Sequence, residues 1–288
     1  MKNFLLKTVL ATLLFFGFNA AAQEDNTTKS NIQTYTPSKL LDKGQWDLKI
    51  FNNLYTETKA TFNNVKADKA RENYFTSTLE VFTGVSENNR INVGLLLEYR
   101  SNNIGGRSAT SVFNFENDGA ARTGLSSFAP AIKFQPIESI GNFSIQSAVH
   151  IPLIENETEN GVFLDQTAYI FQNRFFYDYT LPGGNWQLFT ELNTEYNFGE
   201  ETSFANKTFL LAPGVFMSYF PSNSSTVLGF VQHAQRFGDF TQDYTALGFG
   251  GKYQLTELLN LEVLYSKFVR GNNTGLGQSF NIGLRALF

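Results

Sequence analysis

The chain has 288 residues, 26 acidic against 22 basic side chains, a net charge of −4 and no cysteine. That excludes a disulfide framework and cysteine-ligated metal, and it gives no case for nucleic-acid binding, which requires a basic patch or stripe. Aromatic residues make up 15% of the chain, 30 of them Phe, yet mean hydropathy is only −0.20; this mixture suits a wall with one apolar and one wet face.

The first expected element is a leader. Lys2 and Lys7 flank the start, an apolar run follows from Val9 to Phe18, and Ala20-Ala21-Ala22 precedes Gln23. This is the n-region, h-region and small-residue site of a secretory signal peptide, predicted over residues 1–22. The run is too short for a membrane-spanning helix, which needs about 20 residues. Residues 23–44 are polar and are expected to form a periplasmic N-terminal segment. Within it, 37–44 is read as a linker or as one short helical turn ended by Gly44, under or inside a barrel mouth. About 266 residues remain, a normal size for one barrel, and 45–288 is read as that domain.

Twelve stretches of period-2 alternation follow, near 45–58, 73–85, 90–100, 124–136, 143–153, 168–181, 186–198, 208–220, 226–237, 244–255, 259–270 and 277–288. Lengths of about 9–13 residues suit tilted transmembrane strands, and an even number is the bacterial norm. Connections alternate in length. The short ones, 86–89, 137–142, 182–185, 221–225 and 256–258, hold Gly, Pro, Asn and Ser, the usual turn formers. The longer ones are 59–72, 101–123, 154–167, 199–207, 238–243 and 271–276. The pattern predicts an all-β fold: a transmembrane antiparallel up-and-down β-barrel of about 12 strands, with short periplasmic turns and longer extracellular loops. A soluble sandwich gives no reason for loops to alternate. Trp46 begins the first strand and Trp186, Tyr219 and Tyr253 fall beside short turns, all at the end where an interfacial aromatic girdle is expected.

Parity assigns the two faces. In 186–198, Trp186, Leu188, Leu192 and Tyr196 oppose Gln187, Glu191, Asn193 and Glu195; in 90–100, Ile91, Val93 and Leu95 oppose Asn92, Glu98 and Arg100. A charge facing lipid at mid-depth costs about 2–4 kcal/mol for Arg or Lys, so the polar sets are expected to line the lumen. The stretch 226–237 mixes both kinds on each parity, and a β-bulge is expected to reset it. Glu98, Arg100, Arg174, Glu191, Glu195, Lys252, Glu262 and Arg285 are the candidate lumen residues of a constriction. Lys252 is expected opposite Glu262, Arg174 diagonal to Glu191 and Glu195, and Arg285 near Asp47. Such a set either filters solutes or closes the bore as a salt-bridge plug.

No catalytic, metal or cofactor site is predicted. His150 and His233 are the only histidines, each isolated in sequence, and each is read as a barrel-wall residue. The acidic stretch 155–161 has oxygen ligands of the kind calcium uses but lacks the Asp-rich spacing, and it is read as a solvated loop. Gly248, Gly250 and Gly251 are read as bend sites within a strand.

The last residues run Phe280-Asn281-Ile282-Gly283-Leu284-Arg285-Ala286-Leu287-Phe288, with Phe280, Ile282, Leu284 and Phe288 on one face. This resembles the C-terminal assembly signal of bacterial outer-membrane β-barrels. The chain as a whole resembles small barrels of that kind, loosely the transporters grouped with the phenol-degradation MetA-type proteins. The resemblance implies the bacterial outer membrane and passive movement of small molecules across it. As partners it implies outer-membrane lipid, the barrel-assembly and periplasmic chaperone machinery, and other envelope proteins. The alternative is a closed barrel serving as an accessory subunit of a larger outer-membrane complex. Outer-membrane phospholipase A, also twelve-stranded, carries Ser two residues after its His; His150-Ile151-Pro152 and His233-Ala234-Gln235 lack that motif, so the activity is not carried over.

Overall fold

The computed structural model describes residues 37–199, 203 and 205–288; the signal peptide and the segment up to residue 36 lie outside the described residues. The strands are β1 (Trp46–Phe62), β2 (Val65–Gly84), β3 (Ile91–Asn103), β4 (Ala121–Phe134), β5 (Phe143–Pro152), β6 (Thr158–Glu159), β7 (Val162–Phe163), β8 (Tyr169–Thr180), β9 (Trp186–Phe198), β10 (Thr208–Ser222), β11 (Ser225–Phe237), β12 (Gln242–Gln254), β13 (Leu259–Asn272), β14 (Thr274–Gly275) and β15 (Gln278–Leu287). The twelve long ones pair antiparallel in chain order, and β1 pairs both β2 and β15. The sheet is therefore closed. At the seam, Trp46 N donates to Phe288 O at 2.6 Å, and Phe288 N donates to Trp46 O at 3.0 Å. Closure removes the unpaired edges that an open sheet would present to hydrocarbon.

The outer wall is apolar. Val93, Leu95, Ile132, Val149, Phe171, Val215, Val231, Leu247, Val263, Phe280 and Ile282 are all exposed, and Phe249 is 63% exposed. A belt this continuous far exceeds the patches that water-soluble monomers tolerate; it faces acyl chains. The fold is that of a bacterial outer-membrane barrel.

Two sequence expectations change. Residues 59–72 are largely strand: β1 and β2 continue as a hairpin past the neighbouring strands, joined by Asn63 and Asn64 with φ of 47° and 64°. Both positive values fit the two-residue primed turn that Asn tolerates. The bulge expected in 226–237 is absent, since β11 and β12 pair in unbroken register from Ser225 to Arg236. The mixed pattern there arises because Leu228 and Phe230 face inward with Gln232 and Arg236. Bulges fall elsewhere, at Glu57/Lys59, Glu98/Tyr99, Tyr219/Ser222 and Thr245/Ala246.

Inward phenyl rings lie against glycines of the adjacent strand. The Phe82 ring covers Gly94 and the Phe230 ring covers Gly248; a Cβ on Gly94 would come within 2.5 Å of the Val81 carbonyl oxygen, and one on Gly248 within 2.1 Å of the Phe230 ring. The missing side chain lets each ring lie flat on the wall and leaves the bore free. Gly94→Val is expected to destabilise the barrel by about 1–3 kcal/mol, the usual cost of overpacking. Denaturant unfolding from lipid vesicles reads it; an unchanged midpoint contradicts the ring-on-glycine account.

Candidate functional site

The lumen holds a cavity of about 690 Å³. Arg174, Glu191, Lys252, Glu262, Arg285 and Glu98 line it, while Arg100 and Glu195, with Glu98, line a smaller space of about 100 Å³ beside it. The ion pairs follow from register. Lys252 lies directly opposite Glu262, with Nζ 2.8 Å from Oε2. Arg174 lies opposite Asn193, which puts Glu191 and Glu195 on its diagonals; its Nε is 2.8 Å from Glu191 Oε1. Glu195 instead accepts from Gln172 and Asn193, at 3.0 and 2.9 Å. Lys49 lies opposite Arg285, so Asp47 is diagonal, and its carboxylate takes both Nε and Nη2 of the guanidinium at 2.8 and 2.6 Å. The planar fork matches the carboxylate, which a lysine could not do.

Sequence reasoning missed Glu80, Lys133 and the apolar part of the lumen. Glu80 lies 3.9 Å from Arg174 Nη1. Lys133, 8% exposed, sits with its Nζ 5.4 Å from the Phe176 ring centroid. From Phe176, rings continue strand by strand: Phe189 at 6.1 Å, Phe216 a further 5.4 Å, Phe230 a further 5.1 Å. The signal was present in the alternation, because Phe189 shares parity with Gln187 and Glu191. Such a ring reads as noise when one face is assumed to be wholly polar.

Both mouths carry closures. At the short-turn end, residues 37–44 enter the bore without forming a helix. Leu41, 2% exposed, packs with Phe82, Leu96, Ala129, Ala148 and Leu287. Its amide donates to Asn92 Oδ1 at 3.2 Å, Gly44 N donates to Gly84 O at 2.9 Å, and Lys133 Nζ donates to Lys39 O at 3.0 Å. Lys43 pairs with Glu87 of the adjacent turn. At the other end, side-chain amides hold the loops by their backbone, Asn102 from the inward face of β3 and Asn73 from the outward face of β2. Asn73 donates to the carbonyls of Arg107 and Ser108 at 3.1 and 3.2 Å; Asn102 donates to those of Phe163 and Leu164 at 2.8 and 3.0 Å. Arg122 donates to the carbonyls of Glu157 and Asn156, and Arg100 pairs with Asp165 at 3.1 Å. Arg107, hydrogen-bonded to Asp118 at 2.8 Å, holds that loop carboxyl below the usual carboxylate range. That staple is present above the ordinary Asp range and is lost only as pH falls through the lowered value.

The acidic stretch 155–161 is not free to gather a cation: Glu157 accepts from Thr167 N and Ser203 Oγ, and Glu159 pairs with Arg122 at 3.1 Å. His150 faces the cavity, with Nε2 3.3 Å from Gln172 Oε1; His233 Nδ1 lies 3.0 Å from Thr245 Oγ1 across the β11–β12 pair. Trp46, Trp186, Tyr219 and Tyr253 are exposed on the outer wall near the short turns, and Trp186 packs on Tyr219 at 4.8 Å. Phe280, Ile282 and Phe288 are exposed on the outer face of the closing strand, and Leu284 is half-buried there.

No protein-family model and no curated protein matches the chain. Among solved structures it is similar to an outer membrane channel from Pseudomonas putida F1, at 11% identity over 88% of this chain and 99% of that one, with a TM-score of 0.69. It is also similar to the β domain of the Bordetella autotransporter BrkA, at 14% identity over 83% and 98% of the two chains, with a TM-score of 0.55. At these identities the likeness carries the fold: a closed twelve-stranded outer-membrane barrel.

Removing one partner of the Asp47–Arg285 fork strands a shielded charge. The costs of Arg285→Gln and Asp47→Asn measured singly are expected to sum to more than the cost of the Asp47→Asn/Arg285→Gln double variant. The double-mutant cycle in urea is expected to give a coupling of about 0.5–3 kcal/mol; strict additivity contradicts it.

Proposed function

We propose that the protein is a passive channel for small solutes, with a bore whose charges nearly cancel. The observation that carries this reading is the cavity of about 690 Å³ running inside a closed, lipid-facing wall. Its size falls in the range of small-molecule sites. Six cationic side chains line it (Lys39, Lys49, Lys133, Arg174, Lys252, Arg285) against five carboxylates (Asp47, Glu80, Glu98, Glu191, Glu262). A wall so balanced discriminates weakly between inorganic cations and anions, unlike a ring of one sign. The reading includes no chemical step. Residues 23–36, read as periplasmic, precede the plug.

The plug and the tied-down loops favour a second reading, a closed barrel acting as an accessory subunit. Conductance separates the two. In planar bilayers the mature chain is expected to give small single-channel steps in KCl. Gly84→Val is expected to enlarge them severalfold, because its new side chain would meet the Asp42 and Leu41 carbonyl oxygens, 2.2 and 2.7 Å from the Cβ position, and expel residues 37–44. Deleting 37–44 is expected to do the same. Silence in all three favours the closed barrel, with co-purifying envelope proteins as its sign.

A further inference from the structure

Every carboxylate lining the cavity has a cation within 4.0 Å: Asp47 has Arg285, Glu80 and Glu191 have Arg174, Glu98 has Arg100, and Glu262 has Lys252. Of the lining cations, Lys39, Lys49 and Lys133 have no such partner among the described residues, and of these three Lys133 alone is buried. It forms no ion pair among the described residues, and its one side-chain hydrogen bond there goes to the Lys39 carbonyl of the plug. An ammonium has three donors, so two remain for a ligand. The unmatched charge of this wall is positive.

The same ammonium stands at the end of the phenyl strip. Phe176, below Lys133, is followed by Phe189, Phe216 and Phe230 on successive strands β8 to β11, each ring about one ring-width from the next. All four border the cavity. The Phe230 ring lies over Gly248, so this end of the strip is flat against the wall. Chloride or acetate gains nothing from such a surface, and a neutral hydrocarbon gains nothing from Lys133. A molecule with both an apolar body and an anionic group uses both, and it removes apolar area from water on the rings while it satisfies the ammonium.

We propose that this half of the lumen is a binding site for small organic monoanions, with the anionic group on Lys133 and the apolar body along Phe189, Phe216 and Phe230. The proposal rests on the channel reading only in supposing that solutes reach the bore. The ligand takes the donors that the Lys39 carbonyl leaves unused, so an occupied site narrows the bore beside the plug.

The test uses the full mature chain in planar bilayers, with KCl current as the readout. The probes are cyclohexanecarboxylate, cyclohexanemethanol, cyclohexylmethylammonium and acetate. Cyclohexanecarboxylate is expected to alter the current at about one-tenth of the concentration that any of the other three requires, a factor worth about 1.4 kcal/mol. Lys133→Gln is expected to bring the carboxylate level with the alcohol. Phe216→Ser/Phe230→Ser is expected to weaken the carboxylate and the alcohol by a similar factor and to leave acetate unmoved. Four equal probes, or an anion preference that survives Lys133→Gln, overturn the proposal. Heat-modifiable gel migration verifies closure of each variant, and the phenylalanine pair decides alone if Lys133→Gln does not close. If KCl current is absent from wild type, Gly84→Val and the 37–44 deletion alike, the channel reading fails; wherever wild-type current is absent, saturation-transfer NMR with the same probes in nanodiscs takes over. A carboxylate preference there sustains the site, and its absence overturns it.

Discussion

Everything in this molecule depends on the pairing of β1 with β15. In hydrocarbon an unpaired backbone amide or carbonyl has no water to turn to, and each costs several kcal/mol. Eleven neighbour pairings can be made locally as the chain proceeds. The twelfth joins residues more than two hundred positions apart, running from Asp47 opposite Leu287 to Thr56 opposite Gln278. Its register also sets the lumen chemistry, because it brings Arg285 to the diagonal of Asp47. A slip by one residue would turn Arg285 toward lipid and Leu284 inward. The fork at the seam therefore acts as a register mark as well as a contact.

The wall was legible in the sequence because a barrel repeats one rule. Alternation with a period of two located all twelve long strands, and a register counted outward from a short turn placed Lys252 against Glu262. The same rule failed where it was applied too strictly. Phe82, Phe176, Phe189, Phe216 and Phe230 sit on the parity of the polar residues, and β11 looked broken for that reason. The rings of Phe82 and Phe230 lie flat on the wall because the residue opposite each lacks a side chain. Gly94 and Gly248 supply that condition directly opposite the two rings on the adjacent strand, but 12 and 18 residues away along the chain. A pairwise requirement of this kind is invisible to a periodicity that treats each strand alone.

The sequence allowed 37–44 a place inside the mouth, but how the closures are anchored was illegible for a different reason. Residues 37–44 carry no alternation, and their place in the bore is fixed by Asn92, Gly84 and Lys133, which lie 40 to 94 positions further on. The extracellular loops are likewise held by Asn73, Asn102 and Arg122 reaching backbone carbonyls. A side chain that recognises a carbonyl recognises no particular residue type. The loop sequence consequently bears no imprint of its anchor, although the anchors are conspicuous once built, as buried polar groups that must find partners.

The arrangement of the ion pairs separates frame from closure. Asp47–Arg285, Arg174–Glu191 and Lys252–Glu262 each join adjacent strands, so they lie along the wall and leave the bore between them. A salt-bridge plug would need contacts across the bore; of the lumen pairs among the described residues, Arg174–Glu80 alone joins barrel strands that are not neighbours, and at 3.9 Å it is the longest. Obstruction therefore falls to parts that contribute little to the wall: one leucine in an apolar socket, a few amide hydrogen bonds and an ammonium on a carbonyl. Each such hydrogen bond is worth about 0.5–1.5 kcal/mol net, whereas unzipping any strand exposes a whole ladder to lipid. The wall can stay shut while the mouth opens, because the two are held by interactions of different number and different kind.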